Sequence, residues 1–147
     1  MDGNNTQQDV NGIPLKNPIG KNRCYINVIC NILQALTCVQ NVLKSSENDP
    51  MGILEAIRKV LHSQARIKNV DQIKSRVASY APDFADDSQQ DPRLFLAKLL
   101  EFCPPLKELF EFKCEMTTVC RNCELVSTRE DTVVHLPLEI SLRRDEY

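Results

Sequence analysis

The chain has 147 residues, a net charge of −2, 42% hydrophobic residues and 26% charged residues. These proportions are ordinary for a soluble globular domain, and they exclude the strongly basic surface that binds nucleic acid or an anionic membrane. No segment approaches the roughly 18 consecutive apolar residues of a membrane span. We therefore expect neither nucleic acid nor a membrane as a partner.

The N-terminal residues and the cysteines indicate a cellular compartment. Residues 1–11 are polar, with almost no apolar side chain to bury, so we expect a disordered tail there. They also lack the basic and apolar regions of a secretory signal. The seven cysteines do not show the spacings of a secreted disulfide framework. Both features predict an intracellular protein, in the cytoplasm or the nucleus.

Helical periodicity dominates the first part of the chain. A loop at 13–22 is followed by an apolar stripe over 25–44, which predicts one helix. The Asp-Pro pairs at 49–50 and 91–92 predict the N-cap and the first residue of two further helices. A shorter helix is expected over 73–80.

An alternating pattern replaces the helical one after residue 109. FEFKCEMTTVC (110–120) alternates apolar and polar residues, and TVVHLPLEISL (132–142) is rich in β-branched residues. These segments predict two antiparallel strands, with CRNCEL (120–125) as the turn between them. The predicted fold class is α+β, with the helices before the strands.

Cys24 is the candidate nucleophile. It lies where a polar loop meets a helix, and the unpaired N–H groups and positive dipole of a helix start favour a thiolate. Arg23 adds a positive charge beside it. Most free cysteines are buried and inert, so the residues alone leave a core cysteine open. Cys30 and Cys38 lie on or near the apolar stripe, and we expect both in the core.

Cys120 and Cys123 form a C-x-x-C pair of the kind that binds Zn²⁺ from one side. A structural tetrahedral site needs four ligands, so this pair is half of a structural zinc site. Cys114 and His135, on the flanking strands, are the candidates to complete it. An exposed turn with two free thiols, or a site whose other half lies outside the chain, are the alternatives. Neither His62 nor His135 has a carboxylate at a spacing that indicates a general base.

The segment DFADDSQQD (83–91) precedes the predicted helix at 92. An acidic run of this kind is ordinarily a solvated loop. Its last residues, Gln89, Gln90 and Asp91, lie at a helix start, where they can orient polar groups across a cleft. They are therefore candidates for substrate binding.

Three of these segments resemble, in the same order, motifs of the ubiquitin-specific proteases, a family of papain-like deubiquitinating enzymes. The segment 12–33 resembles the family's cysteine box, G-L-x-N-x-G-N-T-C-Y-x-N-[SA]-x-x-Q-x-L. The matching positions are Gly12, Asn22, Cys24, Tyr25, Asn27 and Leu33.

Two later segments extend the resemblance over about 12–141. QQDPRLFLAKLL is similar to the family's Q-Q-D-A-x-E-F-L helix, and CRNCELVSTREDTVVHLPLEI is similar to the first half of its zinc-finger region with the strand that follows. The matching positions are Gln89, Gln90, Asp91, Phe95 and Leu96 in the first, and Cys120, Cys123, Ser127, Leu136, Leu138 and Ile140 in the second.

The resemblance implies a fold, an activity and a partner. Residues 12–147 would be one partial catalytic domain, with a helical thumb-like half at 12–109 and the first strands of a finger-like antiparallel sheet at 110–147. Cys24 would be the nucleophile of a thiol-dependent deubiquitinating hydrolase that cleaves the peptide or isopeptide bond after the C-terminal glycine of ubiquitin. The partner is ubiquitin or a ubiquitinated protein. Catalysis needs no cofactor, and the family's zinc is structural.

The chain also departs from the family pattern. Ile19 stands where the family has its oxyanion-hole asparagine, which leaves Asn17 or Asn22 for that role, and Arg23 replaces a threonine. The second C-x-x-C pair and the catalytic histidine box have no counterpart in these residues. We therefore expect a fragment or truncated form that is not competent alone. The alternative is a catalytically inactive ubiquitin-binding or protein-interaction module derived from the family.

Overall fold

A computed structural model describes residues 12–65 and 68–136 of the chain. The described residues form six α-helices, one 3₁₀ helix and two strands, so the fold is α+β. The bounds are α1 Cys24–Ala35, α2 Thr37–Ser45, α3 Ile53–Leu61, α4 Asp71–Ala78, a 3₁₀ helix at Pro82–Phe84, α5 Pro92–Glu101, α6 Pro104–Phe110, β1 Phe112–Val119 and β2 Val126–Val133.

The chain divides into two compact units, Met1–Leu109 and Phe110–Tyr147. The expected tail at 1–11 and the part of the expected second strand beyond residue 136 lie outside the described residues. Across the described ranges, no single helix has both the length and the apolar composition to cross a membrane. Among the described helices, one pair meets that criterion when taken together, α1 and α2, which are bent by 88° at the break between them.

The core of the first unit is formed by the apolar faces of its helices. α1 packs against α2 and α5, and α3 packs against α4. Tyr25, Phe84 and Phe95 form an aromatic cluster between these elements. The Tyr25 and Phe95 ring centroids lie 5.2 Å apart in an edge-to-face arrangement, as do those of Phe84 and Phe95 at 5.3 Å. This cluster fixes the helix that begins at Cys24 against the helix that follows the acidic segment.

The apolar stripe over 25–44 does not form one helix, as the periodicity predicted. Leu36 has an extended backbone, with φ −90° and ψ 113°, and separates α1 from α2. The Gln40 side chain donates a hydrogen bond to the Leu33 carbonyl across this corner at 3.2 Å. The expectation that Cys38 lies in the core is also wrong. Cys38 is exposed, because α2 packs against the core through Val39 and Leu43.

The two Asp-Pro pairs start helices in different ways. At 91–92 the prediction is confirmed, since Asp91 Oδ1 accepts the N–H of Arg93 at 2.7 Å and α5 begins at Pro92. At 49–50 the predicted helix start is wrong, because a turn intervenes and α3 begins at Ile53. The Asp49 carboxylate still caps α3, by accepting the N–H groups of Leu54 and Glu55 at 3.0 and 2.8 Å.

The shorter helix expected over 73–80 is α4. It spans Asp71–Ala78 and buries Ile73 and Val77. Tyr80 lies beyond its end and is exposed.

The described part of the second unit is an antiparallel hairpin. Phe112 pairs with Val133, and the register runs to Val119 opposite Val126. The turn is confirmed at 120–125, but β2 starts at Val126, six residues before the predicted strand at 132–142. The β2 sequence, VSTREDTV, is polar on both faces and therefore lacks the alternation that marks a half-buried strand.

Candidate functional site

The loop before Cys24 contains a tight turn that returns Asn17 to the start of α1. The N–H of Lys21 donates to the Pro18 carbonyl at 3.0 Å, and Gly20 adopts a φ of +77°, which favours glycine. Asn17 Oδ1 accepts the N–H of Arg23, the N-cap residue of α1, at 2.7 Å. The turn therefore brings Asn17 within hydrogen-bond distance of Arg23, with Ile19 fully exposed at its apex.

Cys24 is the first residue of α1, and its side chain is exposed. The reading of Cys24 as a buried core thiol is therefore wrong. The first backbone hydrogen bond of the helix runs from Asn27 N–H to the Arg23 carbonyl at 2.9 Å. Within the described residues, no hydrogen bond occupies the backbone N–H of Cys24. An accessible thiol and an unpaired donor thus lie together at the positive end of α1.

Arg23 is buried and paired with two carboxylates. Its Nε donates to Asp71 Oδ1 at 2.6 Å and its Nη1 donates to Asp87 Oδ1 at 2.8 Å. Burial lowers the pKa of the guanidinium, but the hydrogen bonds to Asp71 and Asp87 outweigh that effect and raise the pKa overall. The positive charge expected beside Cys24 is therefore balanced by these two aspartates.

Asp87 connects the acidic segment to the loop before Cys24. Its carboxylate accepts Lys21 Nζ at 2.7 Å and lies 3.4 Å from Lys74 Nζ, in addition to Arg23. Its carbonyl oxygen accepts the side-chain amide of Asn22 at 2.7 Å. The hydrogen bonds from Lys21 and then Arg23 hold the pKa of Asp87 well below its usual range. The acidic segment is therefore fixed to the candidate site and is more than a solvated loop.

Sequence reasoning did not identify this charged network. One residue pointed to such a network: Lys74 lies among the apolar residues Ile73 and Val77, which α4 buries. A lysine in that position needs a buried partner, since an unpaired buried charge is costly. The identity of the partners was not readable, because Arg23 and Asp87 are 64 residues apart in the sequence.

The two asparagines proposed for an oxyanion role differ in their free donors. Asn22 has a φ of +43°, and its Nδ2 is engaged by the Asp87 carbonyl. Asn17 uses Oδ1 to cap α1, and no hydrogen bond within the described residues occupies its Nδ2. Asn17 therefore keeps both amide hydrogens at the start of α1, while one amide hydrogen of Asn22 is engaged by the acidic segment.

The three candidate substrate-binding residues also differ in their contacts. Gln90 donates from Nε2 to the Asp83 carbonyl and to Ser88 Oγ, both at 2.9 Å. Asp91 caps α5. Gln89 is exposed, and its side chain forms no hydrogen bond within the described ranges. Gln90 and Asp91 thus stabilise the loop, and Gln89 is the one of the three whose amide is open to a ligand.

Cys120 and Cys123 lie together on the exposed turn of the hairpin. The turn is closed by hydrogen bonds from Glu124 N–H to the Cys120 carbonyl and from Cys120 N–H to the Leu125 carbonyl, both 2.9 Å. Hydrogen bonding from the backbone of Cys123 and Asn122, and from the Cys123 side chain, lowers the pKa of the Cys120 thiol. Both thiols are accessible on the turn, and a zinc site at this pair stays a prediction.

The strand register separates this pair from the residues expected to complete the site. Cys114 lies opposite Asp131, six residues along β1 from Cys120, which is about 20 Å at roughly 3.3 Å per residue. His135 follows Val133, at the end of the hairpin away from the turn. Both residues line an open cavity of about 570 Å³ near that end. Within the described residues no group of three or more His, Cys, Asp or Glu side chains could hold a metal ion.

Comparisons with known proteins do not assign the chain to a family. No family model matches the sequence. No curated protein sequence shows significant similarity to it. The resemblance to the ubiquitin-specific proteases therefore rests on the three motif segments, and the geometry around Cys24 is the basis on which a function is proposed.

Proposed function

We propose that this chain carries the nucleophile of a thiol-dependent deubiquitinating hydrolase, which cleaves the peptide or isopeptide bond after the C-terminal glycine of ubiquitin. The observation that supports this function best is the turn at 18–21. It brings Asn17 back to the start of α1, where Cys24 is exposed. A nucleophile and hydrogen-bond donors for the reacting carbonyl then occupy the same end of one helix.

The reaction uses the groups at this helix start. Cys24 Sγ forms a bond to the glycine carbonyl carbon, and the carbonyl oxygen takes up the negative charge. The Asn17 amide and the backbone N–H of Cys24 are the donors for that oxygen. The carbon–nitrogen bond then breaks, the amine leaves with a proton, and water hydrolyses the thioester that remains on Cys24.

Proton transfer is the step that these residues do not supply. His62 is exposed at the C-terminal end of α3, and neither its imidazole nor that of His135 forms a hydrogen bond within the described residues. Without an imidazole, amide cleavage loses a factor on the order of 10²–10⁴. We therefore expect negligible amide hydrolysis by the 147-residue chain alone, and a zinc at the predicted C-x-x-C site would have no part in the reaction.

A second function is a catalytically inactive module that binds ubiquitin or another protein. Two observations favour it: no imidazole is bonded to Cys24 within the described residues, and the charge of Arg23 is balanced by aspartates. Such a module would keep the surface that contacts its partner and would not react with it.

A ubiquitin C-terminal thioester separates the two functions. Its leaving thiolate needs no proton, so transfer of ubiquitin to Cys24 does not depend on an imidazole. We expect intact-mass analysis to show one ubiquitin on the chain, with loss of transfer in Cys24→Ala. Cys38→Ala is the matched control, because Cys38 is also exposed but lies in α2. A peptide thioester without the ubiquitin fold controls for simple thiol exchange.

Each outcome of this experiment assigns or removes a function. Transfer to Cys24 that requires the ubiquitin fold supports the hydrolase. Saturable ubiquitin binding without transfer supports the inactive module. The absence of both binding and transfer contradicts the proposal. Amide hydrolysis by the chain alone, abolished in Cys24→Ala, would show that an imidazole does reach the site.

A further inference from the structure

An open cavity of about 480 Å³ in the first unit is lined by residues of α4 together with Arg23 and Ala85. Two of its lining side chains are cationic, those of Arg23 and Lys74, and each is only 7% exposed. Its volume lies within the range of roughly 300–1,000 Å³ that is usual for small-molecule sites. A cavity lined by two nearly buried cations suits an anionic ligand.

The two cations keep hydrogen-bond donors that the protein does not use. Arg23 engages acceptors through Nε and Nη1, and its Nη2 forms no hydrogen bond within residues 12–65 and 68–136. Lys74 Nζ carries three hydrogens and has two acceptors there, the Ala85 carbonyl at 2.8 Å and Asp87 Oδ1 at 3.4 Å. Two N–H groups of Nη2 and one of Nζ are therefore open to a ligand.

A serine hydroxyl on the same cavity adds a further donor. Ser79 Oγ donates to the Ser75 carbonyl one turn earlier in α4, at 2.8 Å, which is the usual bond of a serine within a helix. Ser75 Oγ forms no such bond in the part of the chain that the structure describes, although Ser75 also lines the cavity. Its hydroxyl can therefore donate to a group in the cavity.

The charges around the cavity leave an excess of positive charge. The network contains three cations and two carboxylates, those of Lys21, Arg23, Lys74, Asp71 and Asp87. Asp86 is close enough to interact with Lys74, but it accepts the N–H and hydroxyl of Ser88 and does not line the cavity. An added anion therefore meets more positive than negative charge at this network.

We propose that the cavity binds the phosphate group of a small phosphate ester. Arg23 Nη2, Lys74 Nζ and Ser75 Oγ donate to the phosphate oxygens. A phosphate group has three charged acceptor oxygens and a carboxylate has two, so phosphate makes fuller use of these donors. The rest of the cavity accommodates the esterified group. Cys24 does not line the cavity, so this proposal and the function proposed above can fail independently.

Phosphate-dependent stabilisation of the full chain tests the site. The probes are inorganic phosphate and glycerol 3-phosphate at low millimolar concentration, each replacing chloride at constant ionic strength. A ligand that binds only the folded state stabilises it by RT ln(1 + [L]/Kd). We expect both probes to raise the urea midpoint of the helical circular dichroism signal and to show saturable broadening in ³¹P NMR. Glycerol alone should have no effect.

Two variants of α4 assign the site without removing a cation. Ser75→Asp and Gln72→Glu each add one negative charge at an exposed position, but only Ser75 lines the cavity. We expect Ser75→Asp to weaken binding of glycerol 3-phosphate by about tenfold or more, because its carboxylate repels the phosphate and competes for the donors. Gln72→Glu should weaken it far less. Equal affinities in the two variants contradict the assignment.

A second pair of variants tests a donor directly. Lys74→Met should abolish binding, while Lys59→Met, the control in α3 whose side chain is 57% exposed, should retain it. Circular dichroism shows whether Lys74→Met remains folded, and the Ser75→Asp result decides the matter if it does not. The absence of saturable binding by the unmodified chain overturns the site. Binding of inorganic phosphate that is tighter than binding of glycerol 3-phosphate contradicts an ester as the ligand.

Discussion

Replacement of Arg23 by methionine tests the charged network that supports the start of α1. Methionine retains the apolar part of the side chain but removes the guanidinium. The side chain of Arg23 is only 7% exposed, and its nitrogens contact Asp71 and Asp87 at 2.6 and 2.8 Å. The substitution therefore removes both carboxylate pairs and the hydrogen bond from Nη1 to the Lys21 carbonyl, without opening a large cavity.

The expected loss of stability follows from the exposure of the partners. A hydrogen bond to a charged group contributes roughly 1.5–3 kcal/mol when it is buried. Asp71 is 50% exposed and Asp87 is 34% exposed, so solvent screens both interactions and both carboxylates can be rehydrated. We expect Arg23→Met to lower the free energy of unfolding by about 2 kcal/mol in total.

The same network predicts a dependence on pH. Arg23 lowers the pKa of Asp71, and Lys21 and Arg23 lower that of Asp87, from an ordinary value of 3.8. A carboxyl group with a lowered pKa in the folded state stabilises the fold above its unfolded pKa, and this contribution is lost as the pH falls. The difference between Arg23→Met and the unmodified chain should therefore shrink progressively below about pH 4.

Urea unfolding at pH 7 and at acid pH provides the assay. Arg93→Met is the matched control, because Arg93 also pairs with an aspartate but its side chain is 62% exposed. We expect little change in the unfolding midpoint of that variant. An Arg23→Met midpoint equal to that of Arg93→Met, or a deficit that does not shrink with acid, refutes the proposed role of the network.

Two further predictions concern buried groups. The Tyr25 hydroxyl is buried and has no hydrogen-bond partner among the described residues, so Tyr25→Phe should leave stability unchanged or raise it by about 1 kcal/mol in urea unfolding. A loss of more than about 1 kcal/mol would show that the hydroxyl has a partner. Burial raises the pKa of Cys30 to about 12 and that of Cys103 to about 11, so both thiols should react with a disulfide reagent at neutral pH only after denaturation. Rapid modification of either thiol in the native chain contradicts this burial.

Helix positions were readable from the sequence where local signals agreed. Asp91 combines a capping side chain with a following proline, and α5 begins as predicted. The break at Leu36 was not readable, because α1 and α2 both bury apolar residues in the same core and the stripe continues through the corner. The predicted start of β2 lay too far along the chain. Its sequence is polar and pairs with β1 through backbone hydrogen bonds, so it has no apolar face that a sequence pattern would reveal.

The candidate site was readable only in part. The position of Cys24 at a helix start followed from the change from a polar loop to an apolar stripe. Asn17 returns to that start because the chain turns at 18–21. The spacing of six residues between Asn17 and Arg23 does not by itself indicate that the two are in contact. The partners of Arg23 lie 48 and 64 residues away, and nothing local selects them among the acidic residues.

The most direct measurement compares the rate of ubiquitin transfer from a C-terminal thioester to Cys24 in Asn17→Asp and Asn22→Asp. Aspartate at 17 keeps the oxygen that accepts the Arg23 N–H, so it preserves the start of α1 while it replaces the amide donor with a charged carboxylate oxygen. Asn22→Asp introduces the same charge in the same loop and is the matched control. We expect Asn17→Asp to slow transfer by about 10²–10³, the effect of losing one oxyanion donor, and Asn22→Asp to slow it far less. Equal rates in the two variants, or a larger loss in Asn22→Asp, would contradict the assignment of Asn17 and Cys24 as one reactive site.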